Sequence, residues 1–260
     1  MLGRALVEIN TKPTERVIVL VKALPHAGRR HGETVCCAGI TEHGEWRRQF
    51  PIHYRRLIEK FARWDVIEYE YRDPRDDKRV ESRRVQEDTI KVVGKLAPKD
   101  RPNLLNPLIV PSTSAAARYG RSLALIRPQK AKFEATKKTE KQLAQERRAY
   151  AEAARQASFF DKELCELEPC PYAFTFKYED QEGKSHNSTC DDWETTAMYR
   201  KFGRKYGEAQ TLRMMKETFE KDFPSKGMAF AMGTHSRYPD VWLLVGIIRL
   251  DPVKQLSMQL

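Results

Sequence analysis

Several features that mark common classes of protein are missing from this 260-residue sequence. No window approaches the roughly 18 consecutive apolar residues that a membrane-spanning helix needs, and residues 1–10 carry Arg4 and Glu8 where a secretory signal would place its apolar stretch. There is no phosphate-binding loop, no glycine-rich dinucleotide turn and no serine nucleophile elbow. We therefore predict a cytoplasmic protein without membrane contacts, outside the enzyme classes that those motifs mark.

Cysteine is also scarce. The chain has five cysteines, an odd number, and Cys36 and Cys37 are adjacent. Small secreted domains use even, spaced sets of cysteines to build disulfide frameworks. The pattern therefore favours a reducing compartment.

Positive charge, in contrast, is abundant and unevenly distributed. The chain carries 47 Lys and Arg against 36 Asp and Glu, for a net charge of +11. The basic and acidic counts are 25 and 16 for residues 1–128, 8 and 4 for 129–160, and 14 and 16 for 161–260. Arg outnumbers Lys by 18 to 7 in the first 128 residues, with pairs at Arg29-Arg30, Arg47-Arg48, Arg55-Arg56 and Arg83-Arg84. Because the guanidinium fork binds phosphate and stacks on bases, this asymmetry predicts that residues 1–160 face nucleic acid.

Short apolar segments in the first half predict a small β-barrel. They are β-branched or alternating, and tight connections separate them. The strands are expected at residues 16–24, 33–40, 45–50, 66–71 and 89–93. Residues 53–64 have helical apolar spacing with a basic opposite flank, and the charged segment 73–84 is predicted to be a surface loop.

The rest of the chain predicts a helical linker and a second folded part. Residues 98–128 contain five prolines and suggest an irregular connector, whereas residues 129–160 lack Gly and Pro and suggest one long polar helix. Strands follow at 173–178, 185–190, 228–234 and 241–250, with helices near 193–206 and 208–222. We therefore predict an α+β fold with three parts: a basic barrel domain (1–97), the connector and helix (98–163), and a C-terminal β-α-α-β domain (164–260).

Aromatic residues interleave with arginines at the predicted third strand. Trp46 precedes Arg47 and Arg48, and strand alternation places Trp46 and Arg48 on one face. An arginine beside an exposed aromatic ring can hold a stacked base and its phosphate, although Trp46 could instead belong to the core. The residues predicted to bind nucleic acid are Arg29, Arg30, Trp46, Arg47, Arg48, Arg55, Arg56, Lys60 and Arg63.

Two patterns in the C-terminal part could carry chemistry. Cys165, Cys170, His186 and Cys190 have the spacing C-x4-C and H-x3-C, which suits a structural zinc ion, although cysteines also pack as small apolar residues. His186 together with Asp191, Asp192 and Glu194 could hold a divalent cation for phosphodiester hydrolysis. The same acids could instead cap a helix.

Three segments resemble a group of bacterial proteins, some of which are described as dual OB-domain proteins. They are KALP…GETVCCAGI…GEWRRQFPI (22–52), FTFKYEDQEGKSH…DWE (174–194) and MGT…P…WLLVGI (232–247). The resemblance implies an OB-like barrel and a role with nucleic acid beside defence genes or mobile elements. In such relatives the hairpin can carry extra cysteines beside the histidine, where this chain has Glu179, Asp180 and Gly183.

Together these observations predict a DNA- or RNA-binding accessory protein rather than an enzyme. The barrel would grip phosphates, and the C-terminal part would dock a protein partner such as a nuclease or helicase. A metal-dependent nuclease or base-modifying enzyme using His186 and the nearby acids is the competing prediction. An interaction scaffold that recruits another subunit through the polar helix is the third.

Overall fold

The computed structural model describes residues 12–24, 26–28, 32–53, 60–157, 168–235 and 238–250, which have a mixed α+β architecture. The strands of the first half are β1 Thr14–Lys22, β2 His26–Gly28, β3 Gly32–Ile40, β4 Trp46–His53, β5 Asp65–Arg72, β6 Ser82–Val85 and β7 Lys91–Lys95. Each of the five strands predicted from the sequence is confirmed as β1, β3, β4, β5 or β7, with ends shifted by a few residues. The prediction of a surface loop over residues 73–84 is partly wrong, because its last three residues belong to β6.

Five of these strands close into a barrel. They pair in the order β1-β3-β4-β6-β5, and β5 pairs back with β1. All pairings in the ring are antiparallel except that of β4 with β6, which is parallel. At Gly39 the strands β1 and β3 approach so closely that a Cβ atom would lie 2.1 Å from the carbonyl oxygen of Ile18, so this position requires glycine.

The two faces of β1 pack against different parts of the protein. Val17 and Val19 lie in the barrel interior with Ile67 and Tyr69, as the alternation of a strand requires. The intervening outward side chains are buried as well, because the outer face packs on residues 101–250, which we call the second half of the chain. The shared cluster includes Ile18, Leu20, Ala38, Ile40 and Trp46 from the barrel and Leu123, Leu125, Ala229, Ala231 and Ile248 from the second half.

The second half contains two more sheets and most of the helices. Its strands are β8 Ile109–Val110, β9 Leu123–Ile126, β10 Gln129–Lys137, β11 Tyr172–Glu179, β12 Ser185–Thr189, β13 Met228–Thr234 and β14 Trp242–Arg249. Strands β10, β11 and β12 form one sheet, and β14, β13, β9 and β8 form the other. The helices are α1 Arg101–Leu105, α2 Thr113–Arg118, α3 Glu140–Ala157, α4 Trp193–Tyr206, α5 Glu208–Glu217 and α6 Phe223–Ser225. A π-helical turn, Thr218–Asp222, joins α5 to α6, and 3-10 turns lie at Glu87–Thr89, Pro98–Asp100 and Asn106–Leu108.

The prediction of one helix over residues 129–160 is wrong in its first third. Gln129–Lys137 is a strand that pairs along its length with β11, and α3 begins only at Glu140. Phe133 on this strand is buried in an aromatic cluster and contacts Phe174 and Phe176 at centroid distances of 5.6 and 5.4 Å. Burial of Phe133 therefore outweighs the helical composition of the segment.

Two other expectations need correction or stay outside the description. Residues 98–128 are not an irregular connector, since they form short helices and the buried strand β9, which pairs with β13. The sequence also predicts a helix over residues 53–64. Positions 54–59 lie outside the described residues. At its two ends the structure differs from the prediction, because His53 belongs to β4 and residues 60–64 form loop and turn structure. None of the helices within the described ranges is long and apolar enough to cross a membrane.

Candidate nucleic-acid interface

Two of the predicted nucleic-acid-binding residues, Trp46 and Arg48, lie between the barrel and the second half. Trp46 is 7% exposed and Arg48 is 4% exposed. The guanidinium of Arg48 donates to Oγ of Ser122 at 3.0 Å and to its carbonyl oxygen at 3.2 Å. The prediction that Trp46 and Arg48 bind nucleic acid is therefore wrong for this structure, because the outward face of β4 is occupied by the protein itself.

A buried carboxylate completes the contact of Arg48. The backbone N–H and Oγ of Ser122 both donate to Glu81, each at 2.8 Å, and Glu81 is 6% exposed. Ser122 thus links a buried cation to a buried anion. Burial lowers the pKa of Arg48 from its ordinary value, and Glu81 is among the charges that oppose this shift. These three residues, which we call the Arg48 network, join the two halves of the protein.

Arg47 faces the end of the barrel interior and is held by two carboxylates. Its guanidinium contacts Glu15 at 2.5 Å and Glu45 at 2.7 Å. Burial opposes its charge, but these hydrogen bonds and charges outweigh burial and raise the pKa of Arg47. Glu15 also accepts a hydrogen bond from Tyr69 at 3.1 Å. Since the charge of Arg47 is compensated on both sides, it is poorly placed to bind a phosphate.

Arg63 is also engaged within the protein. It donates to Asp192 at 2.8 Å and to the carbonyl oxygen of Ile247 at 2.6 Å, and its side chain is 13% exposed. It therefore holds the barrel to α4 and β14, and its predicted role in nucleic-acid binding is not supported by its geometry. Lys60 is exposed. The remaining predicted residues, Arg29, Arg30, Arg55 and Arg56, lie outside the described residues.

A different set of basic side chains lies on the outer surface of the barrel, next to β4. Arg84 on β6 is directly opposite Phe50 on β4 and opposite Arg72 on β5. Within the described part of the chain, neither Arg72 nor Arg84 has a carboxylate partner. Phe50 is 38% exposed. We call Phe50, Arg84 and Arg72 the arginine row.

The predicted site omits Arg72 and Arg84, although the sequence contained a signal for them. Tyr71 and Val85 point into the barrel, and alternation along each strand then places the neighbouring arginine on the outside. Arg83 points the other way and lies 5.0 Å from the ring centroid of Tyr71. The position of β6 beside β4 could not be read from the sequence, because this parallel pairing joins segments more than 30 residues apart.

The loop between β5 and β6 adds further cations to this surface. Asp77 forms an internal clasp with Arg79 at 2.6 Å and accepts a hydrogen bond from Ser82 at 2.7 Å. Burial opposes the ionisation of Asp77, but these bonds outweigh it and lower the pKa of Asp77 to about 2. Arg75 and Lys78 on the same loop are exposed and have no carboxylate partner among the described residues. The clasp therefore shapes the loop and leaves these two cations available.

The zinc site predicted from the sequence does not form among the described residues. His186 pairs with Tyr178 across the β11–β12 hairpin, whereas Cys190 lies four residues further along, roughly 13 Å away at the rise of a strand. Cys170 and Cys190 are both buried, which raises the pKa of each thiol. No three His, Cys, Asp or Glu side chains in the described ranges gather as a metal site. Cys165 lies outside those ranges.

The predicted catalytic group is likewise dispersed. His186 lies 2.7 Å from Asp180, which also accepts hydrogen bonds from two backbone N–H groups of its turn. Burial opposes the ionisation of Asp180, but these bonds lower its pKa. Asp192 is 1% exposed, caps α4 through the N–H of Glu194 and binds Arg63. His186 and Asp192 therefore have separate structural partners, and the prediction that they form one metal site with Asp191 and Glu194 is wrong.

A cavity of about 480 Å³ lies between α3, the β11–β12 hairpin and α4. Its lining includes Lys138 and Arg200. Lys138 is paired with Glu146 at 2.8 Å, and Arg200 donates to the carbonyl oxygen of Glu168 and lies 5.5 Å from the ring centroid of Trp193. Both cations are thus engaged within the protein, which makes this cavity a poorer phosphate site than the arginine row.

The two halves of the chain match two protein families. Residues 110–260, more than half of the chain, match the family described as domain of unknown function (DUF8757). Residues 13–109 match the family described as domain of unknown function (DUF8758). A search of curated proteins found no match.

Proposed function

The chain belongs to the family described as domain of unknown function (DUF8757), and we propose that it binds nucleic acid through the arginine row and the β5–β6 loop. Counted in chain order, the five strands of the closed barrel are arranged 1-2-3-5-4-1, with the third and fifth parallel. This order supports an OB-like barrel. OB-folds bind oligonucleotides on the face of strands 2 and 3 and with the loops after strands 1 and 4.

In this protein the face of strands 2 and 3, here β3 and β4, is covered over much of its area by the second half. The accessible part includes Phe50, where β4 meets β6. The loop after strand 4 is the β5–β6 loop, which carries Arg75 and Lys78. The proposed surface therefore uses the exposed remainder of an OB-type binding face.

The observation that carries the proposal is the lack of carboxylate partners for Arg72 and Arg84 in the described structure. Their neighbours Arg47, Arg48 and Arg83 all contact carboxylates or buried acceptors, whereas Arg72 and Arg84 contact no carboxylate among the described residues. Two guanidinium groups on adjacent strands, roughly 5 Å apart at the backbone, suit successive oxygens of a phosphodiester chain. The ring of Phe50 beside them offers a stacking surface for a base.

The proposal also includes an accessory role beside a nuclease or helicase in a defence or mobile-element system. The resemblance of the sequence supports that setting, and the near balance of charge in residues 161–260 supports a protein-facing role for the second half. The proposal that the arginine row binds nucleic acid does not depend on the resemblance or on this charge balance.

The test is the double variant Arg72→Glu/Arg84→Glu, with binding to labelled DNA and RNA measured by fluorescence anisotropy over a series of salt concentrations. We expect weaker binding and a plot of log K against log salt that is shallower by about 1.5, since each phosphate contact contributes roughly 0.7–0.9 to that slope. Arg204→Glu/Lys216→Glu is the control with the same charge change, because both residues are exposed on helices of the second half. Equal loss in the control, or no loss in the test variant, would contradict the proposed surface.

A further inference from the structure

Two exposed tyrosines lie in segments that contact the β5–β6 loop. Tyr119 follows α2 and is 79% exposed, and Tyr238 lies in the β13–β14 loop and is 63% exposed. Val80, near the end of the β5–β6 loop, is 74% exposed. Single exposed apolar residues are common, but three large ones from three segments that contact one another suggest a binding area.

Backbone and side-chain hydrogen bonds bring these three segments together. Arg79, which precedes Val80, donates to the carbonyl oxygen of Thr234 at 2.9 Å. The N–H of Thr234 in turn donates to the carbonyl oxygen of Ser122 at 2.9 Å. Ser122 belongs to the Arg48 network and is three residues from Tyr119, and Thr234 is four residues from Tyr238. The tyrosines are therefore displayed from a junction that buried contacts hold in place.

Cations lie beside these residues, as they do in the arginine row. Lys78 and Arg121 are exposed and have no carboxylate partner within the described ranges. Arg118 is paired with Glu182 at 3.2 Å but stays 65% exposed. Lys78 and Val80 also lie close in sequence to the arginine row, because the β5–β6 loop leads directly into the strand that carries Arg84. We call Val80, Tyr119, Arg121, Tyr238 and Lys78 the tyrosine surface.

We propose that the tyrosine surface binds single-stranded nucleic acid, with bases stacked on Tyr119 and Tyr238 while the arginine row holds the phosphates. This inference rests on the proposed function and specifies its substrate. Stacking on an aromatic ring requires a base whose faces are exposed, which a paired duplex does not offer away from its ends. The ring of Tyr238 already stacks on His235, with centroids 5.1 Å apart and planes 28° apart, and this support orients its outer face.

The cations Lys78 and Arg121 favour a nucleic acid over a protein as the partner of this surface. An apolar partner surface would bury Lys78 and Arg121 without counter-ions, which is costly, whereas a phosphate backbone supplies them. Tyrosine rings interleaved with Lys and Arg are the combination found in sequence-tolerant binding of single strands. The second half of the protein thereby contributes to a binding surface that begins on the barrel.

The experiment compares a single strand of oligo(dT), about 20 nucleotides long and so longer than the roughly 4–16 nucleotides that one OB barrel covers, with a duplex of the same length. Wild type, Tyr119→Ala/Tyr238→Ala, Tyr119→Phe/Tyr238→Phe and Arg72→Glu/Arg84→Glu are titrated by anisotropy. Tyr206→Ala removes an aromatic side chain that is 42% exposed elsewhere and serves as the control. Circular dichroism and thermal unfolding of each variant confirm that it is folded.

We expect the alanine pair to weaken single-strand binding by about fivefold or more, since the loss of even one stacked base lowers the affinity by about that factor. Duplex binding should stay nearly unchanged. The phenylalanine pair should bind like wild type, because stacking needs the ring and not the hydroxyl group. Unchanged single-strand binding by the alanine pair, or an equal loss for strand and duplex, would overturn the inference while leaving the proposed function intact. If wild type binds neither probe, the proposed function fails and this inference fails with it.

Discussion

The substitution Arg48→Met separates the structural arginines of this barrel from those proposed to bind. Methionine keeps an unbranched apolar stem of similar reach but removes the guanidinium that donates to both oxygens of Ser122. Glu81 would then be buried at 6% exposure with hydrogen bonds from Ser122 and without the cation that Ser122 links to it. Arg72→Met on the same barrel is the matched control, because Arg72 is exposed and has no carboxylate partner among the described residues.

The expected size of the effect follows from the burial of both charges and from their link through Ser122. Since Arg48 and Glu81 are not in direct contact, removing the guanidinium mainly leaves buried hydrogen-bonding oxygens of Ser122 without their donor, which costs about 1–3 kcal/mol in the free energy of unfolding. For a chain of this size each kcal/mol lowers the melting temperature by about 2–4 °C, so Arg48→Met should melt roughly 5 °C below wild type. Arg72→Met should change the stability by less than about 0.5 kcal/mol, as is usual for surface positions.

Thermal unfolding followed by circular dichroism measures the stability of both variants. Anisotropy titration at a temperature where both are folded measures their affinity for nucleic acid. We expect Arg48→Met to be unstable and to bind nucleic acid like wild type, and Arg72→Met to be stable and to bind more weakly. The reverse pattern, a stable Arg48→Met protein with impaired binding, would refute the placement of Arg48 as a link between the two halves.

Two further predictions concern the carboxylates of Asp192 and Asp77. Asp192→Ala should destabilise the protein by about 3–5 kcal/mol, since it removes the partner of Arg63 and the cap of α4 together, and Asp192→Asn, which keeps a cap, should cost less in chemical denaturation. Asp77 has a folded pKa of about 2, below the ordinary 3.8, so its contribution to stability is present above pH 4 and is lost as the pH falls toward 2. Asp77→Asn should therefore lower stability by about 2 kcal/mol at pH 7 and very little at pH 2; a deficit that does not depend on pH would contradict the bonds from Arg79 and Ser82 as its cause.

Local patterns were sufficient to predict many of the elements. The helices expected near 193–206 and 208–222 agree with α4, with α5 and with the π-helical turn after it, because Asp192 caps the first and Gly207 separates the two. The continuous apolar runs of β13 and β14 are neighbouring strands of one sheet, and β13 is buried along its whole length, as its composition indicates. In each case neighbours in sequence carry the information.

The strand β10 shows where composition misleads. Its Lys, Ala, Glu and Gln favour a helix, yet Ala131, Phe133 and Ala135 alternate with polar residues, which is the period of a strand. The alternation was the better guide, because a strand partner in β11 and an aromatic cluster around Phe133 were available in the fold. Propensity is a preference of the isolated chain, and burial of one phenylalanine can reverse it.

The sequence by itself determined that this protein has a basic, arginine-rich first half built of short strands, since charge and strand periodicity are properties of the chain. Only the tertiary structure decided which arginines are accessible. Trp46 and Arg48 point outward from the barrel, as alternation predicts, but the outward face of β4 meets Ser122 of the second half, more than 70 residues away. Arg72 and Arg84 also point outward and meet nothing in the described structure that neutralises them. Whether an outward side chain reaches solvent depends on what packs against its strand, and that is set by contacts between distant segments.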